Sequence, residues 1–162
     1  MPQVQLDAID VKLLEALQDE GRLTNAELAE RVALSPSPCW RRLKRLETEG
    51  VIRGYQAQLD RRKLGLGVLA FVSILLDNHS EKIAREFEAG VAAIPEIISC
   101  HNVSGHFDFL LQVVAEDLDR FSYLVLHRVR TLPGVKEINT SFSLKEVKAT
   151  SRLPLPAGLR KS

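Results

Sequence analysis

Leu34-Ser-Pro-Ser-Pro-Cys-Trp-Arg-Arg-Leu-Lys-Arg-Leu-Glu-Thr-Glu-Gly50 opens like a helix and carries its charge on one side. Ser35 is a good N-cap. Pro36 and Pro38 fall in the first turn, where backbone N–H groups have no helical partner and prolines are tolerated. The helix is expected to run to about Glu49, with Gly50 just past its end. At ~100° per residue, Cys39, Leu43 and Leu46 share one side. Ser37, Arg41, Lys44 and Arg45 occupy the opposite side, and Arg42 flanks it. Trp40 sits between the two faces.

Two further helices precede it. Ile9, Leu13, Ala16 and Leu17 form a one-sided apolar stripe, and Gly21 is expected to close that helix as a left-handed cap. Thr24 and Glu27 make a capping box for the next, whose core face carries Leu28 and Val32. Three short helices with a tight turn before a basic third describe a helix-turn-helix. VIRGYQA after Gly50 is a candidate β-element beside it. Residues 1–55 hold eight Lys/Arg against nine Asp/Glu, so the head is not basic overall and its positive charge is focused on one helix face. Cations on such a face neutralise phosphates, and Arg also reads guanine edges.

The grammar changes after Leu59. DRRKLG is a polar connector. The expected order is then strand 68–76, helix 80–94, strands 97–103 and 108–115 joined by SGHF, helix 117–132 and a strand over about 136–144. That β-α-β-β-α-β order predicts a four-stranded antiparallel sheet with two helices on one face, a ferredoxin-like fold. In the strand Val68–Leu76, the alternate residues Val68, Ala70, Val72, Ile74 and Leu76 point one way. Leu69, Phe71 and Leu75 point the other, with Ser73 the one polar exception. A sheet with helices on a single face should alternate apolar with polar. The second face is therefore expected to be covered by the same sheet of another subunit.

The whole chain of 162 residues carries a net charge of +1, so bulk charge points to no nucleic-acid partner by itself. Two cysteines far apart imply no disulfide framework and fit a reducing cytoplasm. The N-terminus lacks a secretory pattern, and the longest apolar stretch, Leu64–Leu76, is short of the ~20 residues a bilayer needs. The cluster Cys100-His-Asn-Val-Ser-Gly-His-Phe-Asp-Phe109 has metal-ligand composition, but alternation sends Cys100 and His101 to opposite faces of a strand. CxxC and HxxxH spacings are missing, as are a phosphate-binding glycine loop and a nucleophile–base order, so neither a metal nor an enzyme is expected. What remains is Gly105, permitting a positive φ, and Asp108, a charge suited to an α-ammonium. On the residues alone, a plain turn capped by Asp108 is the simpler account.

The stretches LDAIDVKLLEALQDEGRLTNAELAERVALSPSPCWRRLKRLETEGVIRGY, VSGHFDFLLQV and LPGVKEINTSFSLKEVK resemble the Lrp/AsnC (feast/famine) family of transcription regulators across residues 6–156. Within that family the chain looks most like the leucine-responsive branch. The resemblance implies an α+β protein: a winged helix-turn-helix over 1–55, a linker over 56–66, a ferredoxin-like effector-binding and oligomerisation domain over 67–150, and a tail over 151–162. It implies contact with double-stranded DNA through Ser35, Ser37, Arg41, Arg42, Lys44 and Arg45. It implies no cofactor other than an amino acid effector, leucine or methionine first. That effector is expected at Val103, Ser104, Gly105, His106 and Asp108. Leu118, Ser141, Phe142 and Ser143 are expected to join them from a neighbouring subunit. It further implies cytoplasmic homodimers that assemble to octamers. The alternative is an amino-acid-binding oligomer acting through protein partners rather than DNA, which the basic helix face argues against.

Overall fold

The computed structural model describes residues 4–78 and 80–155, so His79 and residues 156–162 of the expected tail lie outside the described residues. The described residues divide into a helical unit, residues 4–58 with 149–155, and a sheet unit within residues 59–148.

In the helical unit, α1 spans Ala8–Asp19, α2 Asn25–Arg31 and α3 Pro36–Thr48. The Thr24–Glu27 box forms: Thr24 Oγ1 accepts from the Glu27 amide at 3.3 Å, and Glu27 Oε2 accepts from the Thr24 amide at 2.7 Å. An unexpected second box opens α1. Asp7 Oδ1 accepts from the Ile9 and Asp10 amides at 2.9 Å each, and Asp10 Oδ2 accepts from the Asp7 amide at 3.1 Å. Gly21 does not take the left-handed conformation expected of it. Extended Glu20 ends α1 instead, its N–H donating to the Ala16 carbonyl at 2.9 Å.

The left-handed residue in this unit's helix–helix turn is Ala33, at φ +55°. Its N–H donates to the Glu30 carbonyl and the Leu34 N–H to the Ala29 carbonyl, which closes α2 in a Schellman turn. Ser35 caps α3 by position, but its side chain makes no capping hydrogen bond. Gly50 follows α3 at φ +71°, as its place predicts. Residues 51–58 join no sheet ladder among the described residues, so the expected β-element beside the head does not form here. Leu13, Leu28, Ala29, Val32 and Cys39 make the core, with Ile9, Leu17 and Leu43 packed against it.

The chain from residue 149 returns to the helical unit. Gln18 Nε2 donates to the Leu153 carbonyl at 3.2 Å, the Leu153 N–H donates back to Gln18 Oε1 at 2.6 Å, and Arg152 pairs with Asp19. This segment straps α1.

The sheet unit contains β1 (Val68–Leu76), α4 (Glu81–Ala92), β2 (Ile97–Asn102), β3 (Phe109–Ala115), α5 (Leu118–Leu124) and β4 (Val135–Phe142). Its strands run in the order β2-β3-β1-β4, antiparallel throughout. That is the expected ferredoxin-like arrangement. Ser80 and Asp117 cap the two helices, accepting from Ile83 and Arg120 amides. After Leu124 the helix widens into a π turn over Val125–Val129 rather than continuing as α-helix to residue 132. Ala70, Val72, Ile74 and Leu76 bury against Phe87, Val91, Phe121 and Leu124. On the opposite face Phe71 remains 39% exposed, opposite Gln112 and Ser141 in register. No helix among the described residues is long and apolar enough to cross a membrane.

Candidate DNA-reading helix and effector site

α3 presents the side chains that the wheel assigned to solvent. Ser35, Ser37, Arg41, Lys44 and Arg45 are exposed, Trp40 is 53% exposed, and Arg42 is half-buried. Cys39 and Leu46, on the other side, are fully buried. The four cations differ in their surroundings. Lys44 Nζ pairs with Glu47 at 2.8 Å, one turn along the same helix. Arg42 Nη1 lies 2.6 Å from Asp7 Oδ2 and 2.9 Å from Asp10 Oδ1. Arg45 Nη2 lies 2.5 Å from Asp10 Oδ2. Arg41 makes no ion pair with a described residue.

Asp10 is thus the hub joining α1 to α3. It is the one fully buried charged residue among the described residues. A buried carboxylate is tolerated only when paired and hydrogen-bonded, and two guanidiniums with the Asp7 amide meet that need. Burial disfavours the Asp7 charge. The Asp10 amide and the Arg42 guanidinium outweigh that effect and hold the Asp7 carboxyl below its usual range. Hydrogen bonds to Asp7 and Asp10 hold Arg42 still more firmly protonated. At the far end of α3, the Tyr55 hydroxyl donates to Glu47 at 3.2 Å. Burial and that carboxylate push the Tyr55 phenol up to about 12, so it stays a neutral donor.

The need for this network is legible in the sequence. Asp10 stands three, four and seven residues before Leu13, Leu14 and Leu17, inside the apolar stripe of α1. A carboxylate at such a position demands a cationic partner.

In the sheet unit, the 103–108 hairpin joins β2 to β3. Gly105 sits at its tip at φ +125°, with open space where a Cβ would be. Ser104 and His106 are exposed, Val103 is half-buried, and the His106 ring meets Phe107 edge-on. Asp108 is anchored to β1: its amide donates to the Ile74 carbonyl at 2.9 Å, and its Oδ2 accepts from the Leu76 amide at 2.7 Å. Phe142 stands opposite Ala70, the Ser143 amide donates to the Leu69 carbonyl, and Ser141 pairs with Phe71. Phe142 also packs edge-on against Phe121, and Leu118 is 58% exposed at the start of α5.

The two groups therefore occupy opposite ends of β1. Leu69 and Leu76 are seven residues apart, ~23 Å at ~3.3 Å per residue. One chain does not bring the hairpin together with Leu118 and Ser141–Ser143. A separate cleft of about 360 Å³ lies between α4 and β2, lined by Glu88, Val91, Ile97, Cys100 and Phe109 among others. None of the expected effector residues line it.

The Cys/His/Asp cluster divides as alternation requires: Cys100 is opposite Leu111 and His101 opposite Leu110. Burial, with the Glu88 carboxylate nearby, pushes the Cys100 thiol up, and burial does the same to Cys39. Neither favours the thiolate that metal binding and nucleophilic attack need. No group of three potential ligands converges among the described residues.

The architecture has close counterparts. A family profile described as the Lrp/AsnC ligand binding domain matches residues 69–153, and one described as winged helix-turn-helix DNA-binding matches residues 6–53. The chain belongs to the Lrp/AsnC family of transcriptional regulators. Among Lrp/AsnC relatives, the leucine-responsive regulatory protein of Rhizobium meliloti is 44% identical over 90% of this chain and 94% of its own length. The DNA-binding transcriptional activator DecR of Escherichia coli is 39% identical over 93% of this chain and 99% of its own. A Neisseria meningitidis transcriptional regulator crystallised with L-methionine superposes with a TM-score of 0.88 at 45% identity, covering 93% of this chain and 97% of that one. This Lrp/AsnC protein is a DNA-binding transcriptional regulator, not an enzyme.

Proposed function

We propose that this regulator is a cytoplasmic homo-oligomer, built from dimers, whose DNA binding or assembly responds to a free amino acid, with leucine or methionine the first candidates. Duplex DNA meets the α3 face through Ser35, Ser37, Arg41 and Lys44, with Arg42 and Arg45 at its flank. The effector lies at the Val103–Asp108 hairpin of one subunit and meets Leu118, Ser141, Phe142 and Ser143 of another. The observation that carries this reading is the ~23 Å along β1 between the two groups. A site needing both is completed only between copies, so ligand occupancy and assembly are linked. The part-exposed Phe71 on the helix-free sheet face supplies a surface for pairing. The Neisseria meningitidis relative bound to L-methionine supports an amino acid as the ligand class.

A thermal-shift panel of the twenty amino acids on wild type and Asp108→Asn tests the reading. Asparagine keeps an acceptor for the Leu76 amide while removing the charge. Leucine or methionine at ~100 times its Kd should stabilise wild type by ~2.7 kcal/mol and leave Asp108→Asn unmoved. Equal stabilisation of both proteins would remove Asp108 from the site. No stabilisation of wild type by any amino acid would overturn the effector reading.

A further inference from the structure

The four cations of α3 are not equally free to meet a ligand. Arg42 and Arg45 extend toward solvent by sequence, yet both guanidiniums are held by the α1 carboxylates. Arg42 reaches Asp7 and Asp10 at 2.6 and 2.9 Å, and Arg45 reaches Asp10 at 2.5 Å. Arg45 Nε also lies 3.9 Å from Glu49. Asp10 itself is sealed, with its side chain 1% exposed, and the α1 capping box fixes its position.

We infer that Asp10 is a positioning and specificity-determining residue for DNA recognition, although it never reaches DNA. It acts in two ways. It locks the rotation of α3 about its own axis by gripping residues at positions 42 and 45, which lie on neighbouring ridges of that helix. It also neutralises two cations that would otherwise bind any phosphate backbone. Sequence-independent affinity grows with every free cation near the duplex, because each neutralised phosphate releases counterions. Withdrawing two of them leaves Ser35, Ser37, Arg41 and the Glu47-paired Lys44 as the main contact, so a larger share of the binding depends on base edges. Asp7 has the same effect on Arg42 alone, from a more exposed place.

The inference rests on α3 being the helix that meets DNA, and the test separates the two. Full-length wild type, Asp10→Asn and Arg41→Ala are titrated with a random 30-base-pair duplex and with the best-bound duplex that wild type selects from a random pool, at several salt concentrations. Arg41→Ala should flatten the slope of log K against log salt by ~0.9. Asp10→Asn should do the opposite, steepening the slope on random duplex by ~1–2 and narrowing the ratio of selected to random affinity. A residue that merely held the fold would lower stability and leave the slope and the ratio unchanged. If circular dichroism shows Asp10→Asn unfolded, Asp7→Asn is measured instead, with a steepening of up to ~0.9 expected. An unchanged or shallower slope in the folded variant overturns the inference while leaving the α3 reading in place. An unchanged slope in Arg41→Ala overturns both.

Discussion

Ala33 shows how much one residue can hide from a sequence. Helix-ending turns of this kind ordinarily place glycine at the left-handed position, because a Cβ there crowds the next carbonyl at a cost of ~1–2 kcal/mol. Here alanine occupies it at φ +55°. The turn of the helix-turn-helix was located from its neighbours, the Leu28–Val32 spacing and the Ser35 cap, but nothing marked Ala33 itself. Gly21 carried the opposite signal and proved wrong, since extended Glu20 already satisfies the Ala16 carbonyl. Replacing Ala33 by glycine should raise the stability of the helical unit by ~0.5–1 kcal/mol. Chemical denaturation of wild type and variant would measure it, and a loss of stability would show that the turn is not strained. Asp10 was half legible, since its place in the apolar stripe of α1 calls for a cationic partner. Its role is tertiary, and only the distances to Arg42 and Arg45 reveal that part of the basic face is internally spent.

At the scale of elements, period and caps carried most of the fold. The Thr24–Glu27 box, Ser80 and Asp117 each start a helix where predicted, because a side-chain acceptor three residues ahead of a free amide is a local device. The alternation of β1 grouped Ala70, Val72, Ile74 and Leu76 on one face, and the fold shows which face is the core. The strap of residues 149–155 had no comparable signal. It depends on the amide of Gln18, half-buried near the end of α1, which both donates to and accepts from the Leu153 backbone. Gln18→Ala removes both bonds at once. Hydrogen bonds are worth ~0.5–1.5 kcal/mol net each, so losing two should weaken the hold on the strap by ~1–3 kcal/mol, and the segment opens more often. Trypsin, which cleaves after Arg152, should therefore cut the variant several-fold faster. An unchanged cleavage rate would mean that Gln18 does not hold the strap.

For the whole molecule, the second face of the sheet is the informative surface. Phe71 lies at its centre, flanked by Gln112 of β3 and Ser141 of β4. Sheet pairing between copies would bury it, and a carboxylate placed there would lose its hydration without gaining a partner. Phe71→Glu should therefore shift sedimentation toward smaller species, with the helical content of the subunit retained. An unchanged sedimentation coefficient would move the pairing surface elsewhere. The division of the proposed effector residues between the two ends of β1 was only half legible in the sequence. Their identities came from likeness to relatives. Their separation became visible once the strand order β2-β3-β1-β4 fixed which residues share an end of the sheet.

The strap also changes how the chain should be cut. Because residues 149–155 belong with the α1 side of the protein, the sheet unit is topologically an insertion in the helical one. A single nick in the connector near residue 60 would leave the two units joined through β4. A fragment ending at residue 58 would lack part of its own structure. An isolated DNA-binding head is better built by deleting residues 59–148 and bridging the gap than by truncation.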